Sequence, residues 1–219
     1  SKYCLILGLL LGECILVKLY GMPVAAALGV LMFLDLVKRH IQFRPSVITA
    51  ALAFLTASPH FIYMYILTGN PLFPAANQIF NPGKPTFFSD QTSAFGTGRG
   101  LFDFLTGPWH IFVSPMHYFD GMIVGSPLLL VLCPLIILSA KYTKLLIPLL
   151  AFISSYYIIW FYVGAQQVRF LMPIFPALSF IASLGAVIAW EHARTNYWYK
   201  RVFISLFAIL LLNQGLFVG

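Results

Sequence analysis

Arg169 stands in the stretch GAQQVRFLMPIFPAL, residues 164–178, where a long apolar run begins. A guanidinium grips a phosphate through two parallel hydrogen bonds. A helix N-terminus favours an anion on its own account. A cation at that end opposes the helix dipole, so the sequence gives Arg169 a purpose other than helix stability. The plain alternative is an interfacial arginine reaching for headgroups or water. Lys18, in GLLLGECILVKLYG, lies between two short apolar segments and is a second cation able to meet a phosphate. Its plain alternative is a lysine snorkelling from a helix end. Glu13 lies five residues earlier. Five residues turn a helix by about 140°, so Glu13 and Lys18 do not share a face. An acid inside an apolar helix is expected to face the protein interior. Gly8 and Gly12 form a GxxxG spacing, which reads as close helix packing.

A second group of polar side chains, Asp90, Asp103, His110, His117 and Asp120, falls in one stretch of the chain. A carboxylate such as Asp120 in PMHYFDG, or the neighbouring His117, has the chemistry of a base that takes a proton from a hydroxyl. Capping the next helix is the competing reading for each aspartate. His110 and His117 have no convincingly spaced third ligand, so no metal is expected. The phosphate loop, the dinucleotide glycine fingerprint, HExxH and GxSxG are all absent from the sequence, so soluble-enzyme chemistry of those kinds is excluded and no cofactor is expected. The cysteines, Cys4, Cys14 and Cys133, sit in apolar runs without ligand or disulfide spacing,.

The elements that must position these groups are apolar. Hydrophobic residues make up 60% of the 219-residue chain and charged ones only 9%. Soluble domains are about a quarter charged, and so few charges do not cover a water-facing surface. The chain therefore reads as an all-α, polytopic integral membrane protein. Its net charge of +7 reads as basic loops on one membrane face rather than as a nucleic-acid footprint. Spans are expected at about residues 3–19, 22–37, 47–67, 122–140, 145–163, 170–190 and 202–219, six or seven in all. The first two are short and joined by the tight KLYGMP turn, so one or both are tilted or re-entrant. A spanning segment must satisfy its backbone internally, and no alternating pattern suggests a barrel.

Charge orients the bundle. With Lys38, Arg39 and Arg44 inside, alternation puts Lys2, Lys141, Lys144, Arg194, Lys200 and Arg201 inside too, nine basic residues against four outside, Lys18, Lys84, Arg99 and Arg169. This asymmetry is the mark of cytoplasmic loops. It makes residues 1–219 one membrane domain with residues 68–121 as a long extracytoplasmic loop. The loop opens at TGNPLFPAANQIFNP, where Thr68, Gly69 and Asn70 end a helix and Pro71 prevents its continuation. Within the loop, Ser89 or Asp90 is a candidate N-cap for a helix carrying Phe95, Phe102 and Leu105 on one face. Trp109 in GPWHIF is expected at interface depth. His60, beside Pro59, is expected to be buried. The chain starts without Met and stops inside an apolar run, which reads as part of a longer polytopic protein. No glycosylation sequon, internal repeat or low-complexity tract is present.

Four stretches, in order, carry a resemblance: GLLLGECILVKLYG, TGNPLFP with NQIF, GPWHIFVSPMHYFDG with SPLLLVLCPLIIL, and QVRFLMPIFPAL. Together they resemble the bacterial GT-C fold glycosyltransferases, the polytopic relatives of dolichyl-phosphate-mannose protein mannosyltransferases and of the lipid A aminoarabinose transferase. The resemblance spans nearly the whole chain. It implies transfer of a sugar from a polyprenyl-phosphate donor to a glycan, lipid or protein acceptor at the outer face of the bacterial inner membrane. Membrane lipids are then partners and nucleic acid is not. By position in the family's pattern, Lys18 and Arg169 would bind the donor phosphate. Asn70, Pro71, Phe73 and Asn77 would belong to the cavity wall formed by residues 68–121. The family's principal acid would lie upstream of this chain. Glu13 departs from the pattern, which has an apolar or small residue there. Two other classes fit the composition: a transporter or flippase for a lipid-linked substrate, and a non-catalytic membrane scaffold. A transporter commonly carries paired repeats and polar groups at the midplane, whereas here the polar groups gather at one face.

Overall fold

The computed structural model describes residues 2–17, 21–38, 41–73, 76–81, 95–113, 118, 127–138, 142–164, 166–195, 197–205 and 208. All regular structure among the described residues is helical. In chain order the elements are α1 (Lys2–Val17), α2 (Gly21–Val37), α3 (Phe43–Thr68) and the single turn α4 (Asn77–Phe80). Then come α5 (Leu101–Val113), α6 (Pro127–Leu132) continued by a 3-10 helix (Cys133–Leu138), and α7 (Thr143–Tyr162). A second 3-10 helix (Val168–Ile174) leads directly into α8 (Phe175–Ala193). Residues 197–205 are also helical.

Two helical stretches are long and apolar enough to cross a membrane, Phe43–Thr68 and Val168–Ala193, each of 26 residues. As α-helix such a length reaches about 39 Å, more than the roughly 30 Å of a hydrocarbon core. α1 and α2 have only 16 and 17 residues, about 25 Å each, as the tight turn between them led one to expect. Many large apolar side chains point away from the protein, among them Val17 at 84% exposure, Ile66 at 74% and Ile137 at 84%. An apolar exterior of this extent calls for a non-aqueous or protein covering.

The chain forms two compact units, Ser1–Ala94 with Ser154–Ala165, and Phe95–Ile153 with Gln166–Gly219. The first is built on a seam between α1 and α3. A Cβ at Gly8 would lie 2.7 Å from the Thr49 carbonyl oxygen and 2.8 Å from Leu52 Cβ. One at Gly12 would lie 2.8 Å from the Ala53 carbonyl oxygen and would run into Thr56. The GxxxG is thus a packing device, as its spacing suggested. Partners advance in the same direction along both helices, so α1 and α3 run parallel. Thr49 fastens the seam: its buried hydroxyl donates to Pro45 O at 3.0 Å and lies 3.2 Å from Cys4 O.

Pro59 interrupts α3. It has no N–H for the carbonyl one turn earlier, that of Leu55, and Ser58 Oγ supplies the missing donor at 2.8 Å. The next residue, His60, has its Nε2 buried without a hydrogen-bond partner. An arrangement of this kind costs about 1–3 kcal/mol. The first unit also holds an aromatic stack at the end of α7. Tyr157 and Trp160 have ring centroids 5.7 Å apart and nearly parallel planes, and Tyr156, Trp160 and Phe161 are fully buried.

The core of the second unit is Ile136, Leu146, Ile181 and Ile188, flanked by Cys133, Leu149, Ile153 and Leu184. Cys133 Sγ donates to Leu178 O at 3.5 Å, linking the first 3-10 helix to α8.

Two sequence expectations are corrected. Glu13 was expected to face inward but is exposed on α1, because the inward face of that helix is taken by Gly8, Leu11 and Gly12. The loop helix does not carry Phe95: residues 95–100 are non-helical, and α5 starts at Leu101, where the last of three glycines is passed. The described parts of the expected spans 122–140 and 170–190 are helical as expected, and residues 133–138 and 168–174 wind as 3-10 helix, each containing a proline, Pro134 or Pro173. Ser89 and Asp90, the proposed cap, lie outside the described residues.

The seam gives a direct test. Gly12→Leu overpacks α1 against α3 and is expected to destabilise by about 1–3 kcal/mol. Gly29, where an added Cβ meets nothing within 4 Å, tolerates Ala and gains up to about 1 kcal/mol of helix propensity. Thermal unfolding midpoints in detergent compare the two. A Gly12→Leu variant as stable as the parent would contradict the seam.

Candidate functional site

The polar groups of the second unit converge where residues 95–100 meet residues 166–170. The sequence there, FGTGRG, is shaped by two glycines in the left-handed region, Gly96 at φ 96° and Gly98 at φ 131°. Gln166 is also left-handed, at φ 51°. A non-glycine residue in that region costs about 1–2 kcal/mol, so the surroundings must hold it.

They do so through its side chain. Gln166 Nε2 donates to Gly98 O at 2.8 Å. Its carboxamide lies so close to Gly96 that any Cβ there would collide with it. A second bridge runs through Tyr118, whose hydroxyl pairs with Thr97 Oγ1 at 2.9 Å while its carbonyl accepts the Val168 N–H at 3.1 Å. Tyr118, Gln166 and Val168 are fully buried. The glycine loop and the entry to the 3-10 helix are therefore tied twice, once directly and once through Tyr118.

Asp103 completes the loop. Its Oδ2 accepts the Gly100 N–H at 3.2 Å, while Gly100 O accepts Phe104 N–H at 2.9 Å to start α5. Of the two readings of this aspartate, the structure gives capping a definite place. Burial pushes the Tyr118 phenol above its ordinary pKa of 10.0; the Thr97 hydrogen bond lowers it in part, and the Asp103 carboxylate raises it.

Arg169 emerges from this knot. In the segment Val168–Ile174 the side chains of Val168, Phe170, Leu171 and Ile174 are buried, whereas Arg169 is exposed. Its guanidinium lies over the Phe170 ring, 4.9 Å from the centroid. A guanidinium at this distance from an aromatic face is attracted to it as a cation–π pair. The adjoining Gln167 is buried as well.

In the first unit, the residues expected to form a loop wall build one turn. Gly69, at φ 72°, ends α3 and donates its N–H to Tyr65 O at 2.8 Å. Asn70 is fully buried. Its side-chain oxygen accepts the Leu72 N–H at 2.9 Å and its carbonyl accepts the Phe73 N–H at 3.2 Å. Pro71 sits at the second position of this turn, where its fixed φ is favoured, and Phe73 is partly buried. Asn81 Nδ2 reaches back to Thr68 O at 3.0 Å. The turn thus shapes the exit from α3, as the Gly-Asn-Pro sequence suggested, and Asn70 holds it. Asn77 begins α4 after Ala76, itself left-handed at φ 53°.

Lys18, His117 and Asp120 lie outside the described residues. No group of three or more His, Cys, Asp or Glu side chains able to hold a metal ion occurs among the described residues. Sequence reasoning missed Gln166, Thr97 and Tyr118. The signals present were the doubled glutamine before Arg169 and the glycines at alternate positions before α5.

The phenol offers a pH test. A raised folded pKa means that the folded state keeps its proton longer than the unfolded chain. Stability is then whole below pH 10 and is lost as pH rises through the folded value. Tyr118→Phe is expected to remove that alkaline loss while lowering stability at neutral pH, where the Thr97 bond is missing. Unfolding midpoints from pH 8 to 12 check this, and a parallel decline in both proteins would contradict it.

No protein-family model, curated protein or solved structure matches the chain.

Proposed function

We propose that this chain is the membrane region of a glycosyltransferase that takes a sugar from a polyprenyl-phosphate donor at the extracytoplasmic face of a bacterial inner membrane. Six or seven spans carry residues 68–121 on that face. The observation that carries the reading is the presentation of Arg169. Its neighbours Val168, Phe170 and Leu171 are buried and the Gln166 side chain is tied down, yet the guanidinium stays exposed beside an aromatic ring. A rigidly mounted exposed cation at the mouth of a long apolar helix suits a phosphate whose lipid tail lies in the bilayer.

The role of Arg169 is electrostatic. As the bond between sugar and phosphate breaks, negative charge grows on the departing phosphate oxygen. A cation already in place stabilises that charge without reorganising. Lys18 is the second donor-phosphate cation. A carboxylate base takes the acceptor hydroxyl proton, and Asp120 with its neighbour His117 is this chain's candidate. The acceptor is a glycan, lipid or protein hydroxyl. The ordered resemblance of the four motifs supports this reading, and the apolar exterior supports its membrane setting.

The test uses the full-length protein in membranes with a radiolabelled polyprenyl-phosphate sugar. Arg169→Ala is expected to lower transfer by about 100-fold, the order seen when one donor to a developing oxyanion is removed, and Arg169→Lys to recover part of it. Transfer unchanged in Arg169→Ala would overturn the role. Substrate movement across the membrane without transfer would favour a flippase instead.

A further inference from the structure

α8 ends in a closed cap. Arg194 donates its N–H to Trp190 O at 2.9 Å, and Thr195 Oγ1 donates to His192 O at 2.8 Å. The chain is helical again at Tyr197. This next helix opens with three aromatic residues, Tyr197, Trp198 and Tyr199, which are 62%, 69% and 66% exposed. Lys200 and Arg201 follow, also exposed, and then the apolar Val202, Phe203 and Ile204. Both cations lie against rings. Lys200 Nζ stands 5.6 Å from the centroid of Trp190 on α8, and the Arg201 guanidinium 4.3 Å from that of Tyr197, one turn back. Phe203 meets Trp190 as well, with centroids 6.1 Å apart. Trp190 thus joins the two helices through Lys200 and Phe203, which share a face at three-residue spacing. Lys200 stands in the first turn of its helix, where a cation opposes the dipole, so the helix itself gains nothing from that charge. With Arg194, residues 190–205 carry three Lys or Arg side chains against one acid, Glu191.

We propose that this elbow, from Trp190 to Ile204, is a binding surface for the headgroups of anionic phospholipids. It rests on the membrane setting proposed for the chain and is independent of the sugar donor. Tyr and Trp settle where hydrocarbon meets water. Three of them exposed at the start of an apolar run set the depth of the helix. Lys200 and Arg201 are next in the chain, which puts them at the level of the lipid phosphates. Contact with a ring attracts each cation and narrows the space it samples, so less rotamer entropy is lost when a headgroup binds. Three cations against one acid favour a negative headgroup over a zwitterionic one, whose own cationic end repels them. These basic residues belong to the side read as cytoplasmic, and the cytoplasmic leaflet carries the negative surface potential. A lipid surface offers many headgroups at once, which suits cations spread over two helices better than a single soluble anion does.

The experiment places a fluorophore on Ser205→Cys, an exposed position of the second helix, in the full-length protein freed of its other cysteines. The protein is reconstituted in phosphatidylcholine vesicles with a nitroxide-labelled lipid that bears either a phosphatidylglycerol or a phosphatidylcholine headgroup. A fluorophore on Phe54→Cys, at an exposed position of α3, is the control. Phosphatidylglycerol is expected to quench the Ser205 site at a mole fraction at least about five-fold lower than phosphatidylcholine does, whereas both lipids quench the Phe54 site equally. Lys200→Gln and Arg201→Gln each lower the preference at Ser205 by up to about five-fold, and the double variant leaves little of it. Tyr197→Phe keeps the preference. Tyr197→Leu lowers it in the parent but adds no loss to Arg201→Gln. An equal loss in both backgrounds means that the ring acts without Arg201, and the stacking claim falls. The same preference at Ser205 and Phe54, or a double variant that behaves as the parent, overturns the elbow as the site. Equal quenching of the parent's Ser205 site by both lipids overturns the proposal and leaves the membrane setting standing. Quenching of neither site by either lipid overturns the membrane setting with it.

Discussion

Gln166 occupies a backbone conformation that residues other than glycine adopt only at a cost, and the polar architecture of the second unit is arranged around it. Its φ of 51° turns the chain between α7 and the 3-10 entry to α8. Its side chain then fills the space left by the missing Cβ of Gly96 and bonds the Gly98 carbonyl. Remove that tie and the glycine loop loses its direct anchor, since a segment with glycines at 96, 98 and 100 has little preference for one shape. Tyr118 adds a second anchor. What the two anchors hold at the surface is cationic: Arg99 on the loop and Arg169 on the helix entry.

The first unit solves a different problem with different means. α1 is too short and too uniformly apolar to be placed by an amphipathic face. Gly8 and Gly12 place it instead, letting its backbone lie against Thr49, Ala53 and Thr56 of α3. Close backbone approach and a single hydroxyl do the work that burial against water does in a soluble bundle. The polar demands inside the long α3 are met locally too, by Ser58 beneath Pro59 and by the Gly69–Asn70 turn at its end. In both units helix ends and interruptions carry side-chain hydrogen bonds of this kind.

These features differ in how far the sequence revealed them. The helical character of the chain was legible because long apolar runs leave few alternatives. The GxxxG seam and the Gly-Asn-Pro helix end were legible because glycine and proline act through their own backbone limits. Arg169 stood out because a cation at a helix start opposes the dipole. The 3-10 windings around Pro134 and Pro173 were not legible, since hydropathy is the same for either helix type. Glu13 misled because the rule that buried acids face inward yields when glycines have already claimed the inward face. The knot was invisible for a further reason. Gln166 and Gly98 are 68 residues apart, and no local pattern announces that a glutamine will adopt a left-handed turn.

The central claim is that the glycine loop and the entry to α8 face the same, extracytoplasmic side of a membrane. Single cysteines at Phe102 and Met172, both exposed, and at Tyr197 on the other flank, placed in a background lacking Cys4, Cys14 and Cys133, test it in intact cells. A membrane-impermeant maleimide should label positions 102 and 172 from outside and position 197 only after the membrane is opened. Labelling of 102 and 172 from opposite sides would contradict the account.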